Sequence, residues 1–308
     1  MAIRSTDGPV RLATPDQLRR WSLRCHAAGM SVGLVPTMGA LHDGHLSLVR
    51  RARAECDRVV VSIFVNPAQF GPHEDYERYP RAIESDLTAL EQLRVDAVFS
   101  PAVDAMYPPG CITSVHISGP LGATLEAASR PGHLDGVALV VTKLFVAARP
   151  DRAYFGAKDA QQCALVTRLA ADLDTGVTVV ECPTVRDSDG VALSSRNAYL
   201  DARERASARA IPAGLAAAAR RFAAGERGAA ELVSLVRVEL ETAGLNIDYV
   251  ALVEPDSFTA VEIAGAGCKI LAAATIGSTR LIDSLRLGVD EAPLVCGAQQ
   301  QQECNGSS

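Results

Sequence analysis

Two histidines three residues apart, His42 and His45, lie in a glycine-containing stretch between a predicted strand and a predicted helix. The apolar run at 32–35 is typical of a buried strand, and the pattern of residues 46–52 predicts the opening of a helix. A strand, a turn and a helix start in this order present free backbone N–H groups to an anion. The motif therefore predicts a phosphate site faced by two imidazoles, although HxGH alone is a weak signal.

Three further polar clusters follow predicted strands, at residues 66–71, 156–162 and 193–197. They add a lysine, an arginine, paired serines and amide side chains to the two imidazoles. In open parallel α/β sheets, ligands bind beyond the carboxyl ends of the strands, so these clusters belong to one functional edge. Together these side chains suit the binding of a triphosphate and of a neutral, hydrogen-bonding substrate. The chain contains neither the GxxxxGK[ST] pattern of a P-loop nor the GxGxxG pattern of a dinucleotide-binding loop.

Strands alternate with helices over the first part of the chain. The run at 58–65 is continuously apolar and β-branched, as in a strand buried on both faces of a parallel sheet. Further strands are predicted at 97–99, 150–155 and 177–180, and helices at 14–30, 46–55, 82–93, 137–148 and 161–173. This order predicts an α/β fold, a doubly wound parallel-sheet (Rossmann-like) N-terminal domain over residues 1–184.

After residue 184 the pattern changes. A helix over 201–224 carries Pro212, which should kink or split it. A second helix, 228–243, has a stripe of Leu232, Leu235 and Leu240, and three strands are predicted at 248–253, 269–274 and 279–285. We expect a smaller α+β C-terminal domain over 185–288 and a disordered tail over 289–308, which has little to bury.

Composition narrows the classes of function. The 308 residues carry a net charge of −6, which does not favour a nucleic-acid partner. No apolar segment is long enough to cross a bilayer, and the polar start lacks a signal-peptide core, so we expect a cytoplasmic protein with no membrane partner. The 8 cysteines form no CxxC pair, which makes a zinc site improbable.

Five blocks of the sequence resemble, in family order, the signature blocks of the pantothenate synthetase (pantoate–β-alanine ligase) family. They are PTMGALHDGH, SIFVNPAQFGPHEDYERYPR, RPGHLDGVALVVTKLF, FGAKDAQQ and ALSSRN, within a resemblance that runs from about residue 10 to 288. The HxGH and SSR elements also resemble the HIGH and KMSKS elements of class I aminoacyl-tRNA synthetases. The chain thus resembles one branch of the wider HIGH-type nucleotidyltransferase superfamily.

The resemblance implies an enzyme of coenzyme A (vitamin B5) biosynthesis. Such a ligase condenses (R)-pantoate with β-alanine at the expense of ATP, giving pantothenate, AMP and pyrophosphate through an enzyme-bound pantoyl adenylate. Mg²⁺ would enter with ATP, held largely by phosphate oxygens and water rather than by protein ligands. The family is typically homodimeric through its larger domain.

The resemblance also implies site residues. Catalysis falls to His45, His42 and Lys158. Pantoate binding falls to Gln69 and Gln162, and Gln69 also serves the β-alanine step. The implied ATP-binding residues are Met38, Gly39, Ala40, Leu41, His42, Asp43, Gly44, His45, Gly156, Ala157, Lys158, Asp159, Val185, Leu193, Ser194, Ser195 and Arg196.

The chain departs from the family at a few positions. Ala157 and Ala160 stand where Glu and Tyr are usual, and Ser284 where Asn is commoner. Arg130 and His133 fit a loop that shapes the pantoate pocket and a purely structural loop about equally well.

Ordinary structural interpretations stand beside these assignments. Ser194 and Ser195 can also cap the helix that follows them. Lys158 and Asp159 can form an exposed turn pair, and Gln69 and Gln162 can be surface amides.

Two other functions compete with the ligase. A nucleotidyltransferase that stops after adenylyl transfer would share HxGH and the SSR loop, but would not require both Gln69 and Gln162. A nucleotide-binding regulator without catalysis would have lost His45 or Lys158, and both are present.

Overall fold

A computed structural model describes residues 8–72 and 74–293 of the chain. The chain divides into two compact units: the first holds the described residues up to Thr184 together with Asp256–Thr259, and the second holds Val185–Pro255 and the described residues from Ala260 onward. The tail predicted at 289–308 falls, from residue 294, outside the described residues.

The first unit is built on a six-stranded parallel sheet, which confirms the Rossmann-like α/β fold. The strands run in the order β1-β4-β3-β2-β5-β6. Their bounds are β1 (Val10–Leu12), β2 (Val32–Thr37), β3 (Arg58–Ile63), β4 (Ala97–Phe99), β5 (Arg152–Gly156) and β6 (Thr178–Cys182). Strand β1 was not predicted, because three residues are too few to show a period.

Helices cover this sheet. They are α1 (Pro15–Ala27), α2 (Asp43–Glu55), α3 (Ile83–Gln92), α4 (Val103–Met106), α5 (Gly119–Ala123), α6 (Glu126–Ser129), α7 (His133–Ala148) and α8 (Ala160–Asp172). Helices α2 and α7 begin three and four residues earlier than predicted. Within the two described ranges, no single helix is long and apolar enough to cross a bilayer.

Valines on both faces of the sheet form much of the first unit's core. On one face Val35, Val59 and Val61 pack with Leu48 and Val49 of α2, and all five side chains are fully or almost fully buried. Burial of β3 on both faces of the sheet therefore explains its continuous apolar run, as predicted. A strand packed in this way holds the loop at its carboxyl end in a fixed position.

The described part of the second unit has an antiparallel sheet in the order β7-β8-β9, with three helices against it. The bounds are β7 (Asn246–Val253), β8 (Lys269–Ile276), β9 (Thr279–Arg286), α9 (Ala202–Ala208), α10 (Ala210–Ala223) and α11 (Ala229–Thr242). The predicted split near Pro212 is confirmed, but the break lies at Arg209. A proline ring clashes with the carbonyl four residues earlier, here Ala208, which is the last residue of α9.

The buried stripe of α11 differs by one residue from the prediction. Leu232, Val236 and Leu240 are fully buried, while Leu235 is only half-buried. Positions four apart keep to one face of a helix, so this face is 232, 236 and 240, and the predicted Leu235 lies at its border.

We predict that Leu232→Ala lowers the free energy of unfolding of the second unit by about 2–5 kcal/mol, because it leaves a cavity in a fully buried site. Val238→Ala is the matched control on the same helix. Its side chain is 56% exposed, so a change within about 0.5 kcal/mol is expected. Urea unfolding followed by circular dichroism measures both, and equal losses would contradict the assigned core.

Candidate active site

The strand order creates a crevice at the carboxyl end of the sheet. From β2 the chain moves to β3 and β4 on one side, and it then returns to place β5 on the other side of β2. Connections that leave neighbouring strands in opposite directions open a ligand-binding crevice at that point. The HxGH loop follows β2 and the segment Gly156–Asp159 follows β5, so the two predicted ATP segments flank this crevice.

The turn between β2 and α2 is held by a buried carboxylate from α3. Gly39 and Ala40 both have positive φ angles, 85° and 49°. Asp86, only 2% exposed, accepts hydrogen bonds from the N–H groups of Ala40 (2.9 Å) and Leu41 (2.8 Å). Burial raises the pKa of Asp86, and these two bonds act against that rise. Asp86 therefore fixes the path of the chain into the histidine motif.

The two histidines cap α2. His42 is the N-cap residue, and its Nδ1 accepts from the N–H of Gly44 (3.2 Å). His45, in the first turn, accepts through Nδ1 from the N–H of His42 (3.4 Å). This is a capping box built from imidazoles, with ring centroids 4.1 Å apart. Capping rules favour Ser, Thr, Asp and Asn, which explains why the helix start was placed too late in the sequence.

Burial makes both rings neutral. It lowers the pKa of His42 to about 4, and the Lys158 ammonium acts in the same direction. It lowers the pKa of His45 to about 3, with His42 and Lys158 as smaller causes. Because each Nδ1 accepts a backbone N–H, the proton of each neutral ring lies on Nε2. The pair therefore offers two neutral N–H donors beside the positive end of the α2 dipole.

Lys158 is the cation of the site. It follows β5, and its charge contributes to the lowered pKa of both imidazoles. Its Nζ lies 3.3 Å from a carboxylate oxygen of Asp159, and its side chain is 18% exposed. A half-buried ammonium beside two N–H donors is an arrangement that attracts a polyanion. Lys158 and Asp159 therefore form a partly buried pair, and not the exposed turn pair of the ordinary structural interpretation.

Gln69 connects the second polar cluster to the histidine loop. Its side chain is buried, and Nε2 donates to the sulfur of Met38 at 3.2 Å. Met38 belongs to the HxGH block, so the structure brings a predicted pantoate residue against a predicted ATP residue. Gln69 is therefore not a surface amide.

Arg130 and His133 hold Gln69 from behind. His133 Nδ1 lies 2.7 Å from the carbonyl oxygen of Gln69, and Arg130 lies 2.9 Å from His133 Nε2. Arg130 also makes two hydrogen bonds with the Glu74 carboxylate, at 2.7 and 2.6 Å. These contacts go to the backbone carbonyl of Gln69, to the Glu74 carboxylate and to each other. Both residues therefore act through the position of Gln69, which favours the structural interpretation of this loop.

Close packing of α7 on the same loop requires a glycine. A Cβ on Gly136 would lie 2.0 Å from the carbonyl oxygen of Ala68, a distance that no side chain tolerates. Gly136 therefore lets α7 approach the backbone beside Gln69.

The two glutamines at the start of α8 differ in their contacts. Gln161 is buried and uses its whole amide on backbone, accepting from Glu126 N–H (3.0 Å) and donating to the carbonyls of Leu121 (2.8 Å) and Thr124 (2.9 Å). Gln162 is half-buried. Gln161 is thus a structural amide, and the role of Gln162 toward pantoate stays a prediction.

The remaining predicted ATP residues belong to the second unit. A short antiparallel bridge pairs Arg186 with Ala192, and the N–H of Leu193 donates to the carbonyl of Val185 at 3.0 Å. Ser194 caps the short turn Ser195–Tyr199, since its Oγ accepts from the N–H of Arg196 at 3.3 Å. The capping interpretation therefore holds for Ser194, and its role toward ATP stays a prediction.

Sequence reasoning missed Asp86 and Gln161, which the structure shows bonded to backbone. Asp86 lies 46 and 45 residues from its two partners, so no local spacing marks it. Among the described residues, no group of three or more His, Cys, Asp or Glu side chains is arranged to hold a metal ion.

Comparison with known proteins agrees with this geometry. The sequence pattern of the family described as Pantoate-beta-alanine ligase matches residues 11–286. The chain belongs to this family. The pantothenate synthetase of Acidobacterium capsulatum is 51% identical over 84% of this chain and 86% of its own length. That of Pelotomaculum thermopropionicum is 46% identical over 89% and 98%.

Solved structures of the ligase family share the fold. The crystal structure of pantothenate synthetase from Thermus thermophilus superposes with a TM-score of 0.85 at 44% identity, covering 90% of this chain and 99% of that one. The ligase from Francisella tularensis, complexed with beta-gamma ATP and beta-alanine, gives 0.74 at 31% identity, covering 92% and 99%. The family consists of enzymes that form pantothenate, so the ligase interpretation is confirmed over its two competitors.

We predict that Asp86→Asn lowers kcat/KM for pyrophosphate release from ATP and pantoate about tenfold or more. The amide keeps one acceptor, so one N–H of the turn is left buried without a partner. An unsatisfied buried donor costs about 1–3 kcal/mol of free energy, which destabilises the turn. Glu84→Gln, an exposed residue of the same helix, is the control and should behave like the parent. A normal kcat/KM in Asp86→Asn would show that the turn does not depend on this carboxylate.

Proposed function

We propose that the loops after β2 and β5 carry out the first step of pantothenate formation, the adenylation of (R)-pantoate by ATP. The observation behind this is the pair of neutral imidazoles at the start of α2, beside Lys158. A pantoate carboxylate oxygen attacks the α-phosphorus of ATP, the bond to the β-phosphate oxygen breaks, and pyrophosphate leaves. Negative charge grows on phosphate oxygens throughout, and the site supplies donors and a cation for it.

His45 serves this step as a hydrogen-bond donor. With a pKa of about 3, its ring is neutral at neutral pH, so it contributes the Nε2–H without giving up a proton. His42 contributes a second Nε2–H, and Lys158 neutralises charge on the departing pyrophosphate. The charges on pantoate and ATP are thus met by fixed donors that need little reorganisation in the transition state.

The second step joins pantoate to β-alanine. The amine of β-alanine attacks the acyl carbon of the adenylate, the acyl–phosphate bond breaks, AMP leaves and the nitrogen loses a proton. Gln69 and Gln162 hold pantoate, and Gln69 also serves β-alanine. The contact of Gln69 with Met38 supports this, because it puts the pantoate residue beside the ATP loop.

The other ATP assignments follow the family resemblance. In the first unit they comprise the backbone from Met38 to Gly44 and from Gly156 to Asp159. In the second unit they comprise Val185 and the segment 193–196. The substrate form of ATP is its Mg²⁺ complex, with the metal held by phosphate oxygens and water.

We also assign a homodimer formed through the first unit and a cytoplasmic location. The dimer rests on the family resemblance. Ile112 is chosen to test it because its side chain is 95% exposed within the exposed segment 108–114. The location rests on the substrate, since ATP is an intracellular nucleotide. Light scattering of the parent and of Ile112→Asp tests the assembly.

We predict that AMP release from ATP and pantoate depends on β-alanine, and that His45→Ala and Lys158→Ala each cut adenylate formation by about two orders of magnitude. Removal of one preorganised transition-state donor typically has this effect. His26→Ala is the control, since its ring lies at the other end of the sheet beside Asp151. Pyrophosphate and AMP are measured in parallel.

Two results would contradict these assignments. AMP release that does not need β-alanine would remove the second step. Near-normal pyrophosphate release in His45→Ala or Lys158→Ala, with the fold intact by circular dichroism, would remove the assigned role of that residue.

A further inference from the structure

A chain of side-chain hydrogen bonds leads from Tyr107 to Gln69. The hydroxyl of Tyr107, which directly follows α4, donates to Oδ1 of Asn66 at 2.7 Å. Nδ2 of Asn66 donates to Oε1 of Gln69 at 3.0 Å. Asn66 is 1% exposed and Gln69 is 8% exposed, so these bonds are shielded from water. All members belong to the first unit.

Backbone groups determine which way the Asn66 amide faces. The N–H of Ala68 can only donate, and it points at one end of the amide at 3.2 Å. The carbonyl of Gly136 can only accept, and it faces the other end at 3.1 Å. The first end must therefore be the oxygen and the second the NH₂ group.

The orientation of Asn66 in turn determines that of Gln69. The Gln69 atom that faces the Asn66 NH₂ group has to accept, so it is Oε1. Nε2 is then left facing the other way, with one hydrogen directed at the sulfur of Met38. A Gln69 amide turned over would set two NH₂ groups against each other. The site therefore receives the second N–H of Gln69 Nε2 as a donor, and not the side-chain oxygen Oε1.

Tyr107 completes the set of donors to Asn66. Burial raises the pKa of Tyr107 to about 12, so its hydroxyl keeps its proton at any working pH. The ring centroid lies 6.1 Å from that of Phe64 and 5.7 Å from the Lys143 ammonium. With this hydroxyl and the Ala68 N–H, both lone pairs of Asn66 Oδ1 are used.

We propose that Tyr107 is a positioning residue for pantoate: its hydroxyl holds Asn66, and Asn66 holds Gln69 so that an N–H donor, and not Oε1, faces the substrate. Pantoate is then selected through an oxygen that accepts, a hydroxyl lone pair or a carboxylate oxygen. A substrate that presented only a hydrogen-bond donor at this point would face another donor, and no hydrogen bond could form. This inference rests on the proposed assignment of Gln69 to pantoate.

The test is Tyr107→Phe, which keeps the ring and removes the hydroxyl. We expect KM for pantoate to rise about three- to tenfold, the usual effect of one lost hydrogen bond, while KM for ATP stays within about twofold. Tyr154→Phe is the matched control. It removes another buried hydroxyl of the first unit, bonded to Glu55 (3.0 Å) and Cys56 (3.3 Å), and should lower stability without changing KM for pantoate.

Two variants of Gln69 separate this inference from the assignment beneath it. Gln69→Leu removes the whole amide and should raise KM for pantoate by more than Tyr107→Phe does. Gln69→Glu keeps an acceptor toward Asn66 but loses both N–H donors, so it should bind pantoate as poorly as Gln69→Leu. All variants are compared at equal folded fraction by circular dichroism.

Each outcome decides one of the two claims. An unchanged pantoate KM in Gln69→Leu would overturn the assignment of Gln69, and the inference with it. A raised KM in Gln69→Leu with a near-parental KM in Gln69→Glu would show that Gln69 acts as an acceptor, and would overturn the inference alone. If Tyr107→Phe raised the KM for pantoate and the KM for ATP equally, Tyr107 would be a structural residue only, and the inference would be overturned.

Discussion

The N-terminus of α2 is the element on which the site depends. Its first N–H groups are satisfied by two imidazole nitrogens, where most helices use an oxygen. This use of Nδ1 has a chemical consequence, because it leaves the proton on Nε2 and requires neutral rings. Burial lowers both pKa values far below neutrality and so enforces that state. The contacts that cap α2 therefore also set the protonation state of both rings.

The rest of the first unit keeps this arrangement in place. Asp86 ties the turn before the helix, and Arg130 with His133 holds the carbonyl of Gln69. The Asp86 carboxylate, the Arg130 guanidinium and the His133 imidazole each have partners in backbone or side-chain groups. Burial of such groups is costly without a partner. The site is therefore rigid where charge develops. In the proposed reaction, the groups that meet the ligands are the Nε2–H donors, Lys158 and the amides of Gln69 and Gln162.

Much of the fold was predictable from the sequence, because its signals are local. Continuous apolar runs predicted the buried strands, and the helices predicted from residues 14 and 201 begin in the structure at Pro15 and Ala202. The start of α2 was placed wrongly, since its cap is a histidine and capping rules do not expect one. Strand β1 was too short to detect, and Leu235 was assigned to the wrong part of a helix face.

The site was predictable only in part. The blocks that resemble the ligase family supplied the histidines, Lys158 and the glutamines. The supporting residues were not found, because Asp86, Tyr107 and Gln161 bind partners 35 or more residues away. Their roles come from tertiary contacts, and no spacing within one segment encodes them. Neighbours such as Gln161 and Gln162 look alike in sequence and differ only in what their amides contact.

The central claim is that His42 and His45 are neutral, with the proton on Nε2, when the enzyme works. Nitrogen-15 NMR of histidine-labelled protein at about pH 7 measures this directly, with His42→Gln and His45→Gln used to assign the signals. Both rings are expected to show the pattern of a neutral imidazole protonated at Nε2, unchanged down to about pH 5. A signal from a doubly protonated ring at neutral pH, or from a ring protonated at Nδ1, would contradict it.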